Sequence, residues 1–89
     1  MAKLKIGEQI KTKEDARNLI INLIESSDEF AQSFIVKLAI NYMSGSPLRY
    51  TDKKIADLVE EIVYEYMIEN KIYCDYGIFY KVKTEEKTM

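Results

Sequence analysis

The feature that most narrows what this chain can fold into is a change of period at Asn70. Before it, "DKKIADLVEEIVYEYMIEN" sets Ile55, Leu58, Val59, Ile62, Val63 and Tyr66 at the three- and four-residue intervals of one helix face. After it, "KIYCDYGIFYKV" alternates with the two-residue period of a strand. Asn70 suits the left-handed conformation that closes a helix. "CDYGI" fits a type I turn with Gly77 in the bulge position after Asp75 and Tyr76. In that register Cys74 opposes Ile78, Tyr73 opposes Phe79 and Ile72 opposes Tyr80. Ile72, Cys74, Ile78, Tyr80 and Val82 then share one face of a hairpin over about 71–82, and Tyr73 and Phe79 share the other.

Two helices are expected upstream. "TKED" at 12–15 reads as a capping box, with Thr12 accepting from the amide of Asp15 and the Asp15 carboxylate reaching back. Ala16, Leu19, Ile20, Leu23 and Ile24 follow at helical spacing, so the first helix runs about 13–25. "SSDE" at 26–29 repeats the signature with Ser26 as cap, which predicts a second helix over 27–44 with Phe30, Phe34, Ile35, Leu38 and Tyr42 on its apolar stripe. It stops at "MSGSP", where Gly45 suits a left-handed position and Pro47 cannot continue the helix. "LRYT" (48–51) is a candidate short strand before Thr51 or Asp52 caps a third helix over 52–69. "KLKI" near the N-terminus is another. The predicted fold class is α+β, mainly α, with three helices and then a C-terminal hairpin.

Length and composition fit a single small globular domain over 1–83 with a polar tail at 84–89. An 89-residue chain buries roughly 60–65 % of its unfolded surface, so its core is thin. With 47 % hydrophobic and 11 % aromatic residues it has the composition of a folded globule. Cys74 is the one cysteine, which excludes an intramolecular disulfide. Nothing at the start reads as a signal peptide and no run approaches the ~20 apolar residues of a membrane span, so no membrane association and a cytoplasmic setting are expected.

The element order resembles that of winged-helix domains. "RYTDKKIADLV" resembles the short strand and second helix of that family, "EEIVYEYMIENKI" its third helix entering the first wing strand, and "YCDYGIFYKV" the wing. The resemblance covers about residues 30–82. It implies a helix, strand, helix and two-stranded wing architecture, and a function either in reading DNA or in docking on protein. "KKIADLVEEIVYEYMIE" contains no breaker, so 52–69 is open to being one helix or two.

Charge and chemistry then select among functions. The net charge is -2, with no histidine and three glycines. Ser-His and Cys-His pairs, histidine zinc sites, CxxC pairs and phosphate-binding glycine loops are therefore all missing from the sequence. No enzyme activity, cofactor or metal is expected. The polar side of 52–69 carries Asp57, Glu60, Glu61, Glu65 and Glu69, which oppose a DNA backbone bearing one negative charge per ~1.7 Å. Glu61 and Glu65, or Glu65 and Glu69, lie four apart and offer a divalent cation two carboxylates, though a solvated acidic face is the simpler reading.

Two surfaces emerge as candidates. One is the acidic helix face, Asp57, Glu60, Glu61 and Glu65. The other is the wing, where Tyr73 and Phe79 face each other with Lys71, Lys81 and Lys83 alongside, a pattern that suits a protein hot spot or base stacking with phosphate contacts. Cys74, beside Ile72, Ile78 and Asp75, reads as a small buried apolar residue rather than a reactive thiol. Ile20, Ile21, Leu23 and Ile24 span more than one side of the first helix, and Tyr64 and Met67 lie off the main stripe of the third, which favours a partner or a second copy. The expectation is a non-enzymatic module docking on another protein, with a homodimer in view. The alternatives are a nucleic-acid-binding regulator using the wing and the lysine-bearing N-terminus, and a structural subunit of a larger assembly.

Overall fold

A computed structural model describes residues 6–82. A short 3₁₀ helix, Ile6–Gln9, leads into α1 (Lys13–Glu25), β1 (Glu29–Ala31), α2 (Gln32–Tyr42), α3 (Asp52–Ile68), β2 (Ile72–Asp75) and β3 (Ile78–Lys81). Three helices followed by an antiparallel hairpin is the expected α+β class. The candidate strand at "KLKI" falls largely outside the described residues, and Ile6 opens the 3₁₀ helix instead.

Local chemistry accounts for most boundaries. At α1 the capping box forms as expected: Thr12 Oγ1 accepts from the Asp15 amide at 3.0 Å, and Asp15 Oδ2 accepts from the Thr12 amide at 3.1 Å. The Lys11 amide, which also donates to Asp15, is the main reason its carboxyl is held below the usual value. Thr51 caps α3 by accepting from the Lys54 amide at 3.1 Å. Asn70, at φ 60°, closes α3. There the Asn70 amide reaches Met67 O at 3.0 Å and the Lys71 amide reaches Tyr66 O at 2.8 Å, the paired bonds of a Schellman motif.

The second helix departs from expectation. Ser26 does not open it; the Ser26 and Ser27 hydroxyls both donate to the carbonyl of Leu23 at 3.1 Å and so finish α1. Residues 29–31 are extended because β3 supplies a ladder for them, with Glu29 opposite Tyr80, Phe30 opposite Phe79 and Ala31 opposite Ile78. The helix therefore begins at Gln32, without a side-chain cap. Its buried stripe becomes Ile35, Ala39 and Met43, while Phe34 and Tyr42 are exposed.

The sheet has the order β1-β3-β2. The expected sequence of helix, short strand, helix and hairpin is present, but on different segments from those the sequence suggested. The short strand is 29–31, not 48–51, and the second helix is 32–42, not the first half of 52–69. Residues 52–68 form one uninterrupted helix. The 43–51 connection separates α2 from α3.

The core lies where all three helices meet the inner face of the sheet. Ile20 and Ile24 of α1, Ile35 and Ala39 of α2, and Val59 and Ile62 of α3 are fully buried, with Phe30, Ile72 and Phe79 closing the sheet side. Leu19, Ile21 and Leu23 pack partly buried against this cluster, so much of the second apolar side of α1 is covered within the chain. The 43–51 connection is tied down by Ser46. Its buried hydroxyl donates to Ile10 O at 2.6 Å and accepts from the Leu48 amide at 3.1 Å.

The hairpin turn is tighter than expected. Tyr76 and Gly77 both have positive φ, 53° and 80°, which is the two-residue type I′ arrangement. Asp75 therefore pairs with Ile78, Cys74 with Phe79, Tyr73 with Tyr80 and Ile72 with Lys81. One residue fewer in the loop moves every β3 side chain to the opposite face relative to β2.

Candidate interaction surfaces

The register decides what the wing displays. Phe79 is not an outward partner of Tyr73: it is 8 % exposed and stacks on Phe30, with ring centroids 5.4 Å apart. The aromatic pair on the outer face is Tyr73 and Tyr80, with centroids 5.5 Å apart and planes 26° apart. Cys74 shares the Phe79 side of the hairpin, but it is exposed rather than buried, since only Ile72 of β2 reaches the core.

The lysines do not flank this pair as expected. Lys81 lies opposite Ile72, on the other side of the sheet from Tyr80, and its ammonium donates to the carbonyl of Glu25. Lys71 pairs with Glu69 at 3.2 Å and sits 5.1 Å from the centre of the Tyr66 ring. Lys83 lies outside the described residues. The charges that share the outer face are carboxylates: Asp75, two residues from Tyr73, and Glu29, opposite Tyr80. The Tyr80 phenol is accordingly held above its ordinary value, first by burial and then by Glu29 and Asp75.

On α3 the acidic face has its own internal partners. Arg17 of α1 donates to Glu65 Oε1 at 2.9 Å and lies 3.9 Å from Glu61. That hydrogen bond is the main cause raising the arginine's pKa. Lys53 pairs with Asp57 at 3.3 Å. The Glu61 and Glu65 carboxylates thus hold a guanidinium. Among the described residues no group of three or more His, Cys, Asp or Glu is placed to hold a metal ion.

Further along the same helix the exposed surface turns apolar. Tyr64 is 63 % and Ile68 61 % exposed, with Met67 beside them at helical spacing. The solvent side of α3 is therefore acidic at Asp57, Glu60 and Glu61 and apolar at Tyr64, Met67 and Ile68. Tyr64 and Met67 were legible as residues off the core stripe. Ile68, four residues past Tyr64, completes the patch and was not singled out.

The wing tip adds Tyr76, which is 99 % exposed at its positive φ. An L-residue held there costs roughly 1–2 kcal/mol. Nothing local announces it, since the position directly before Gly77 in a two-residue loop usually holds Asn or Asp rather than Tyr.

No helix among the described residues is long and apolar enough to cross a membrane. Compared with known proteins, the chain matches no family model, no curated protein and no solved structure.

Proposed function

We propose that this protein is a small interaction module that docks on another protein through the solvent side of α3. The observation that carries the reading is the exposure of Tyr64, Met67 and Ile68 together on the solvent side of α3. Apolar and aromatic side chains of this size are the usual anchors of protein interfaces. Glu60 and Glu61, on the preceding turn, favour a partner whose apolar hollow is rimmed by lysine or arginine, which speeds association at low salt.

The same surface is poorly suited to nucleic acid. Base edges are read by Arg, Lys, Asn or Gln, and phosphates by cations. Past Lys53 and Lys54 of its first turn, the solvent side of α3 brings carboxylates instead, and the outer face of the wing sets Glu29 and Asp75 around its tyrosines.

The test has two arms. Duplex and single-stranded DNA are titrated by fluorescence anisotropy at ~50 and ~200 mM salt, where phosphate-driven binding changes steeply. The wild type and the folded variants Tyr64→Glu and Ile68→Glu are then compared for capture of partners from the native host. No salt-sensitive DNA binding, with a partner lost from both variants, is the expected result. Steep salt-dependent DNA affinity, or a partner set unchanged by both substitutions, overturns the reading.

A further inference from the structure

We infer that the outer face of the wing is a docking site for an arginine side chain of a partner protein, which stacks on Tyr80 and meets the carboxylate of Glu29. The inference is independent of the docking role of α3.

The core packs all three helices against the inner face of the sheet, and among the described residues no element covers the outer one. Register builds a row across that outer face, with Glu29 opposite Tyr80 and Tyr80 opposite Tyr73. The two rings have centroids 5.5 Å apart and planes 26° apart, so Tyr73 covers one face of Tyr80. The other face of Tyr80 looks toward β1, where Glu29 is its directly opposed neighbour. Beside this row lies a cleft of about 540 Å³, lined by Asp28, Glu29, Tyr73, Tyr80, Lys81 and Val82. Tyr73 is 51 % and Val82 41 % exposed, so a partner can reach it.

Charge selects what fills the cleft. Asp28, Glu29 and Asp75 stand around the two tyrosines, and among the described residues none of the three enters an ion pair. The lysines of the wing are turned elsewhere: Lys71 to Glu69 and the Tyr66 ring, Lys81 to the carbonyl of Glu25. After burial, Glu29 and Asp75 hold the Tyr80 phenol above its ordinary value, so their field reaches the ring. An aromatic face beside uncompensated carboxylates attracts a cation.

Shape then favours a guanidinium over an ammonium. A guanidinium is planar and weakly hydrated, so it lies flat on a ring that an ammonium meets only as a point charge. Its forked donors still reach sideways to a carboxylate, and Glu29 stands beside Tyr80 with Asp28 next along the chain. Arginine is also among the residues that most often anchor protein interfaces.

The experiment is a titration of the isotope-labelled full chain with acetyl-Gly-Arg-Gly-amide, followed by amide chemical shifts at ~50 mM salt, where screening is modest. Saturable shifts at Glu29, Tyr73 and Tyr80 are expected, with a dissociation constant on the order of 10 mM for one stacked and paired side chain. The lysine analogue should bind about threefold more weakly. Glu29→Gln should weaken arginine binding about threefold. Tyr80→Leu should weaken it about fivefold. Circular dichroism checks the fold of each variant, and if Tyr80→Leu does not fold, Glu29→Gln and the lysine comparison decide. The absence of saturable shifts at these residues overturns the inference. So do equal affinities for the two peptides, arginine binding unchanged by Glu29→Gln, and saturable shifts confined to the α3 carboxylates. The same shifts on concentrating the protein alone would put a second copy in the cleft and overturn it too.

Discussion

Tyr66 donates its hydroxyl to Glu25 Oε2 across 2.5 Å, which ties the last turn of α3 to the last turn of α1. Burial first, and then this carboxylate, push the phenol up to about 12. The folded pKa lies above the unfolded value near 10, so the folded state favours the protonated phenol. Its stabilising contribution is complete below pH ~10 and is lost as pH rises from there through about 12. Tyr66→Phe should cost about 1.5–3 kcal/mol at pH 7, the range for a hydrogen bond to a charged group. The wild type's advantage over Tyr66→Phe should shrink above pH ~10. Parallel melting curves for the two proteins between pH 8 and 11 would show that the bond adds nothing.

The two hairpin aromatics that alternation places side by side should behave oppositely. Phe79→Ala empties a buried position against Phe30 and should cost about 3–5 kcal/mol, a large share of the stability of so small a domain. Tyr73→Ala removes an outer-face pair with Tyr80 and should cost about 1 kcal/mol or less. Urea unfolding of the two variants measures both. Equal costs would mean that Phe79 faces outward, as a three-residue loop requires.

That contrast shows where the sequence was legible and where it was not. Thr12, Asp15 and Asn70 act through bonds to residues three or four positions away, so α1 and the end of α3 could be read from the chain. The face that each hairpin residue occupies depends on the loop being one residue shorter, and both Tyr76 and Asp75 are compatible with either loop. Residues 29–31 are extended only because β3, some fifty positions later, pairs with them. A strand whose partner is so distant leaves no local pattern, and Ser26 with Glu29 offered a helical signature that tertiary pairing overrode. The α3 surface was partly legible, because Tyr64 and Met67 fall off the stripe that Val59, Ile62 and Tyr66 define. The wing surface was misread, since one residue of register exchanged Phe79 for Tyr80 and turned Lys81 to the inner side, while Lys71 is drawn to Glu69 and Tyr66 and Glu29 arrives from β1.

Gly7 lies where the 3₁₀ helix crosses the end of α2. A Cβ there would lie 2.1 Å from the carbonyl oxygen of Ser44 and 2.8 Å from that of Tyr42. Both obstacles are backbone, so the segment as a whole must move to admit a methyl group. Gly7→Ala should therefore destabilise by about 1–3 kcal/mol, as overpacking does. Exposed Gln9→Ala, two residues on, should stay within about 0.5 kcal/mol of wild type. Chemical denaturation of the pair decides it, and an unchanged midpoint for Gly7→Ala would mean that the 3₁₀ helix does not pack there.

Tyr76 occupies the left-handed first position of a type I′ turn while making almost no burial of its own. Asn tolerates that conformation far better, because its short side chain bonds to the local backbone. Tyr76→Asn should therefore stabilise the domain, by about 0.5–1 kcal/mol. Tyr76→Val should destabilise it, since a β-branched residue resists positive φ more strongly than tyrosine does. Thermal melts of the three proteins give the order Asn above Tyr above Val if the two-residue turn is right. A three-residue turn with Gly77 in the bulge leaves Tyr76 at negative φ, and Val there would be no worse than Asn. The same series therefore measures the register on which the Tyr73–Tyr80 stack and the Phe30–Phe79 stack both depend.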